Sequence, residues 1–195
     1  MSSSTARRTK PPPGFIPSRN RKRRTSRTAS RFGKASWLSD ARSRTSAGLL
    51  MFRRASRGLE ALLVHPGGPF FARKDAGAWT IPKGEAAPDE DLLARAKIEF
   101  AEELGFASAG DFFSLGEIKQ KGGKTVHAWA FEGDLPLNFV LRSNEFEIEW
   151  PPRSGKRSRF PEVDRAEFFP EEIARQKINP AQIDFLDRLR EQLRL

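Results

Sequence analysis

The chain has 195 residues, 37% of them apolar and 31% charged, which is room for one ordinary domain with a core plus some polar chain outside it. It contains no cysteine, which excludes disulfides and thiolate zinc sites and fits a reducing compartment, so the cytoplasm is the expected location. No apolar run approaches the roughly 18 residues of a membrane helix, and the N-terminus lacks the uninterrupted apolar stretch of a secretory signal, so no membrane partner is expected.

The net charge of +10 is unevenly spread. Residues 1–45 hold thirteen Lys and Arg and one acid, Asp40, a charge of +12; the remaining 150 residues carry 22 basic and 24 acidic side chains, or −2. Residues 1–43 are rich in Ser, Thr, Arg and Pro ("PPPGFIPSRNRKRRTSRTASRFG") and cannot bury enough surface to offset their ordering entropy. A disordered basic tail is expected there, followed by one folded domain over 44–195. The tail has three readings: non-specific contact with nucleic acid through "RNRKRR", a targeting peptide, or an extension without a role.

The domain opens with two apolar runs, "SAGLLMFRR" and "LEALLVHP", which predict paired strands. "GPFFARKDAGAWTIPKGE" reads as a Gly/Pro-punctuated loop enclosing a short strand at 79–82. After Pro88, "DEDLLARAKIEFAEELG" predicts a helix with Asp89 as N-cap and Gly105 as its stop. "FFSLGEIKQ" and "TVHAWAFEG" flank "KGGK" and predict a hairpin, with Val126, Ala128 and Ala130 on one face and His127, Trp129 and Phe131 on the other. "NEFEIEW" is a weaker strand signal, "PPRSGKRSRFPEVD" a long polar loop and "AEFF" a short strand. "PEEIARQKI" and "PAQIDFLDRLREQL" predict a short and a terminal helix. Strands on both sides of a central helix imply an α/β sandwich with a mixed sheet.

The chemistry concentrates in the central helix. At about 100° per residue, with Glu99 at 0°, Glu103 falls near 40° and Glu102 near 300°, while Leu93, Ala96, Phe100 and Leu104 occupy the adjoining arc from about 60° to 140° that faces the core. Three glutamates on one arc repel one another. They either form a wet acidic face or hold a hard divalent cation such as Mg²⁺, which prefers carboxylate oxygens.

The segment "GEAAPDEDLLARAKIEFAEELGF" sharpens that choice. Gly84, five residues, Glu90, seven residues and then "IEFAEELGF" resemble the Nudix box, G-x5-E-x7-R-E-U-x-E-E-x-G-U with U apolar; every defined position matches except the arginine, replaced by Ile98. The resemblance covers the body of the chain and none of the tail. It implies a Nudix-like α/β/α sandwich, and a hydrolase cleaving a phosphoanhydride bond in a nucleoside diphosphate-linked substrate. It also implies Mg²⁺, with Mn²⁺ as the alternative, held by Glu99, Glu102 and Glu103, one carboxylate serving as base. Glu90 would support the cluster, and Gly84 would allow the loop backbone to approach. Arg95, near 320° on the wheel, is either a substitute for the missing arginine or one half of an ordinary i, i+4 surface pair.

"WTIPKG" resembles the entrance of the dinucleoside polyphosphate hydrolase branch of that family, which makes such a compound the first substrate expectation. A nucleoside triphosphate or ADP-ribose is the alternative, as is a catalytically weak nucleotide- or RNA-binding module. Lys83 would meet phosphates as a point charge, as would Lys74, Lys119, Lys121 and Lys124 with less to select them. Trp79 and Trp129 are the aromatics placed to stack a base, Trp79 reading more strongly as core. His127 shares a strand face with Trp129 and could reach substrate, or be structural. Glu145, Glu147, Glu149 and Glu162 are acids outside the box from which a further ligand or base could come, against a plain solvated role.

Overall fold

The computed structural model describes residues 45–195 apart from Arg57 and Lys121. The basic tail at 1–43 therefore lies outside the described residues, as does the Lys121 candidate. The order of elements is β1 (Thr45–Ala55), β2 (Gly58–Pro66), β3 (Lys83–Glu85), α1 (Leu92–Leu104), β4 (Phe113–Lys119), β5 (Thr125–Glu132), β6 (Glu145–Glu149), β7 (Arg157–Pro161), β8 (Val163–Pro170), α2 (Glu171–Lys177), a 3₁₀ turn (Pro180–Gln182) and α3 (Ile183–Leu193).

β1 is the hub. It runs parallel to β5 along most of its length, pairs antiparallel with β2 over Phe52–Ala55, and pairs antiparallel with the short β3 over Ser46–Gly48. The sheet order is β4-β5-β1-β2-β8, with β3 on β1 and a separate two-stranded β6–β7 ribbon. It is a mixed sheet covered on both faces, so β1 reads as a continuous apolar run instead of alternating.

Alternate β1 residues serve two cores. Ala47, Leu49 and Met51 pack with Ala96, Phe100 and Leu104 of α1. Leu50 and Phe52 pack with Ala174 of α2 and with Phe185, Leu186 and Leu189 of α3. An α/β/α sandwich results. Phe100 is fully buried and stands edge-on to Phe131 and Phe106, each 5.3 Å away between ring centres. Burial of one such ring contributes about 1.5–3 kcal/mol and fixes the rotation of α1 about its axis. That rotation decides where the glutamates point.

Several local expectations are corrected. Asp91, not Asp89, caps α1, its Oδ1 accepting from the backbone N–H of Leu93 and Ala94 at 2.9 and 3.1 Å. Asp89 instead occupies a left-handed turn with φ 64°, a geometry that short polar side chains tolerate. Trp79 and Thr80 form only isolated bridges, and the strand of that segment lies later, at Lys83–Glu85. The expected polar loop after Pro151 contains β7, paired with β6 through Phe146 opposite Phe160. Gly105 does end α1, with φ 81° and its N–H on Ala101 O.

Candidate metal centre

The fold brings α1 and β3 face to face. Gly84 sits in β3 opposite Ala47 of β1. A Cβ built on Gly84 would overlap the carboxyl carbon and both carboxylate oxygens of Glu99, so the carboxylate can stand where it does only beside a glycine. Glu99 and Glu103 are consequently shut between helix and strand, with 7% and 9% of their surface exposed. Glu102 stays wet, its side chain 42% exposed.

Burial pushes the Glu99 carboxyl pKa up, against the hydrogen bond and charge of Arg95; Glu102 and Glu162 add to the rise. Glu103 is pushed up to about 8, chiefly by burial, with Lys83 opposing and Glu99 and Glu162 reinforcing. Its Oε2 is buried without a hydrogen-bond partner. Such an oxygen costs on the order of 1–3 kcal/mol unless something occupies it. The Lys83 ammonium is desolvated, which lowers its pKa, and Glu103 pulls in the other direction. Lys83 is half-buried beside Glu103, whose carboxylate its backbone hydrogen-bonds.

Arg95 donates from Nη2 to Glu99 Oε1 and lies 3.7 Å from Glu102 Oε2. Glu90 closes the loop ahead of the helix, accepting from the Ala87 N–H at 2.8 Å, and its charge acts on Arg95. Ile98 projects outward, 45% exposed.

Outside the box, Glu162 is the acid whose charge reaches both Glu99 and Glu103. It is positioned by a strap: its N–H donates to Asn144 O at 2.8 Å, its carbonyl accepts from Gly67, and Asn144 N–H reaches Glu102 O at 3.3 Å. Nothing in the spacing of the chain singled Glu162 out from the other acids, because the strap exists only once β6 and β7 are folded. Glu147 of β6 is instead bound to Arg157 and Arg159 of β7, and Glu149 accepts from Gly155.

The remaining candidates separate. Trp79 is core, 1% exposed, with Nε1 donating to Asp75 at 2.8 Å. Trp129 is half-buried at the margin of the α1-side core, and His127, half-buried on the same strand face, has Nε2 3.3 Å from Glu117 Oε2. Lys124 lies 3.6 Å from Glu85, and the Lys74 ammonium stands over the Phe71 ring. The histidine that is fully buried is His65: Nε2 donates to Lys74 O at 2.9 Å and Nδ1 is 2.7 Å from Asp164.

The donor set can be tested against a hard divalent cation. An unpartnered buried carboxylate oxygen on Glu103, a second buried carboxylate on Glu99 and an all-oxygen set of ligands fit one. As placed, no three His, Asp or Glu side chains among the described residues already converge on one point. The three glutamates share one helix face, the placement from which ligands to one ion would be drawn.

No family model and no curated protein sequence matches the chain. Solved structures do. A C. elegans Ap4A hydrolase in a binary complex superposes with a TM-score of 0.54 at 21% identity, covering 77% of this chain and 98% of that one. The NUDIX domain of Shewanella oneidensis NrtR complexed with ADP ribose gives 0.56 at 14% identity, covering 82% and 94%. A MutT protein from Methanosarcina mazei Go1 gives 0.51 at 22% identity, covering 78% and 96%. These likenesses establish the fold: the chain has the Nudix fold that residues 84–106 led one to expect. Among the described residues no helix is long and apolar enough to cross a membrane.

Proposed function

We propose that the chain is a divalent-metal-dependent Nudix pyrophosphohydrolase that cleaves a phosphoanhydride bond in a nucleoside diphosphate-linked substrate, with a dinucleoside polyphosphate of the bis(5′-nucleosyl)-tetraphosphate type as first choice. The observation that carries this reading is Glu103: a carboxylate buried beside a second one, with an oxygen that nothing in the protein satisfies. Two carboxyl groups buried side by side cost stability, which a cation held between them would offset.

Glu99, Glu102 and Glu103 would hold Mg²⁺ or Mn²⁺, which when bound supplies phosphate charge neutralisation and an acidified water. Gly84 keeps the Glu99 carboxylate in place by leaving it room. Lys83 holds Glu103 through its backbone hydrogen bond, and its side chain would meet the phosphate chain. A carboxylate of the cluster takes the proton from the attacking water. Trp129 offers a ring face to a base, and His127, next but one on β5, a polar contact beside it.

Two further readings have an observation behind them. The NrtR domain was solved with ADP ribose, and it superposes with a TM-score of 0.56 against 0.54 for the Ap4A hydrolase, so ADP-ribose, with nucleoside triphosphates, is the second substrate class. Ile98 in the arginine position of the box is the observation behind the other reading, a weak catalyst that retains nucleotide or RNA binding. Chromatographic assay of dinucleoside polyphosphates, ADP-ribose and nucleoside triphosphates with Mg²⁺ discriminates among them. Cleavage of a dinucleoside tetraphosphate ahead of the others supports the first choice. Measurable binding without turnover of any member refutes the enzyme.

A further inference from the structure

We propose that Arg95 is the positioning residue of this site, doing from one helical turn earlier what the missing arginine beside Glu99 would do, so that the box is shifted in register, not broken. The inference rests on the metal site proposed above.

Three observations carry it. Angularly, Arg95 at about 320° lies inside the acidic arc bounded by Glu102 near 300° and Glu103 near 40°, whereas position 98 near 260° lies outside it. In contacts, one Arg95 guanidinium serves two carboxylates: Nη2 donates to Glu99 Oε1 and stands 3.7 Å from Glu102 Oε2. In burial, the Arg95 Nε is shut from solvent with no hydrogen-bond partner. An arginine making only a surface ion pair would rotate to wet that donor; this one stays, held by the carboxylates. Ile98 meanwhile is 45% exposed, an apolar side chain spent on solvent at the box position that normally carries charge.

The consequence is geometric. Arg95 takes one oxygen of Glu99 and leaves Oε2 for a metal, the usual arrangement in which a ligating carboxylate is itself hydrogen-bonded from outside the coordination shell. It also supplies a positive charge against the Glu99–Glu102 repulsion before any metal arrives.

The test is Mn²⁺ affinity of the full chain, read from the rise of the thermal unfolding midpoint with Mn²⁺ concentration, with no substrate present. Arg95→Ala should weaken Mn²⁺ binding about 10- to 100-fold. Ile98→Arg added to Arg95→Ala should recover most of the loss. Arg95→Lys, which keeps the charge but not the planar fork, should fall between, and serves in place of the alanine variant should that one not fold. Unchanged affinity in Arg95→Ala overturns the proposal, and tighter affinity overturns it by making Arg95 a competitor of the metal. Loss that Ile98→Arg does not recover overturns the equivalence of the two positions. A wild-type protein whose midpoint does not respond to Mn²⁺ brings down the metal site itself, an outcome distinct from a flat Arg95→Ala result against a responsive wild type.

Discussion

Gly84→Ala separates the stability of this fold from its function. The Gly84 backbone is outside the left-handed region, and an alanine fits β3 conformationally. What it cannot fit is the Glu99 carboxylate, with which the new methyl would overlap at the carboxyl carbon and both oxygens. The obstructing group is the free end of a flexible side chain, so the fold yields there at little cost. Reduced freedom of the unfolded chain gives back about 0.4–1 kcal/mol, leaving net stability within about 1 kcal/mol of wild type. To restore ordinary carbon–oxygen separation the carboxylate must swing on the order of 1–2 Å. That carries it off Arg95 and out of line with Glu103. A displacement of about 1 Å in a catalytic group costs about 100-fold in rate, equivalent to about 2.7 kcal/mol of transition-state stabilisation. Urea denaturation and initial rates on the best substrate of the panel, measured on the same preparation, check both halves. A Gly84→Ala protein that hydrolyses at the wild-type rate would refute the account of why glycine stands there.

Other expectations follow from particular residues. Glu103 has its folded pKa raised from 4.5 to about 8, so the metal-free fold binds more protons than the unfolded chain between those values. Its stabilising contribution is full below about pH 4.5 and is lost as pH rises through about 8, and Glu103→Gln should flatten that loss in urea midpoints taken from pH 5 to 9 with a chelator. An identical slope in both proteins would show that another group is responsible. His65→Leu strands Asp164 and the Lys74 carbonyl and should cost about 2–4 kcal/mol, whereas His127→Ala, half-exposed, should stay within about 1 kcal/mol; equal effects would contradict the assignment of His65 as the structural histidine. Deleting residues 1–43 should abolish salt-sensitive, sequence-independent binding to RNA or DNA, since that segment carries twelve Lys and Arg against one acid, a charge of +11. Equal binding by the truncated chain would exclude the tail as the contact.

The carboxylate helix was legible because two signals agreed along it. Ala96, Phe100 and Leu104 set its buried side by period, and all three are fully buried, while Gly105 set its end. The wheel placed the glutamates correctly in angle but not in depth. It shows the acidic arc of an isolated helix, and Glu99 and Glu103 are buried by β3 and the Asn144–Glu162 strap, which reach α1 from elsewhere in the chain. β3 escaped notice because three residues, "KGE", have no period of their own; they become a strand by pairing with Ser46–Gly48. β7 escaped because "RSRFP" has one large apolar residue, Phe160, and Pro and Gly nearby. It is held by Phe146 opposite and by charge pairs of Arg157 and Arg159 with Glu147. Asp89 and Asp91 were equivalent as caps by residue type, and the difference lies in the turn that Glu90 closes onto Ala87.

The claim that α1 carries a metal site for phosphoanhydride cleavage is tested most directly by Glu103→Gln beside wild type in Mg²⁺-dependent hydrolysis of a dinucleoside tetraphosphate. The account predicts turnover by wild type that a chelator stops, and loss of at least about 100-fold, or about 2.7 kcal/mol, in a Glu103→Gln protein that remains folded. Full activity in that folded variant would contradict it.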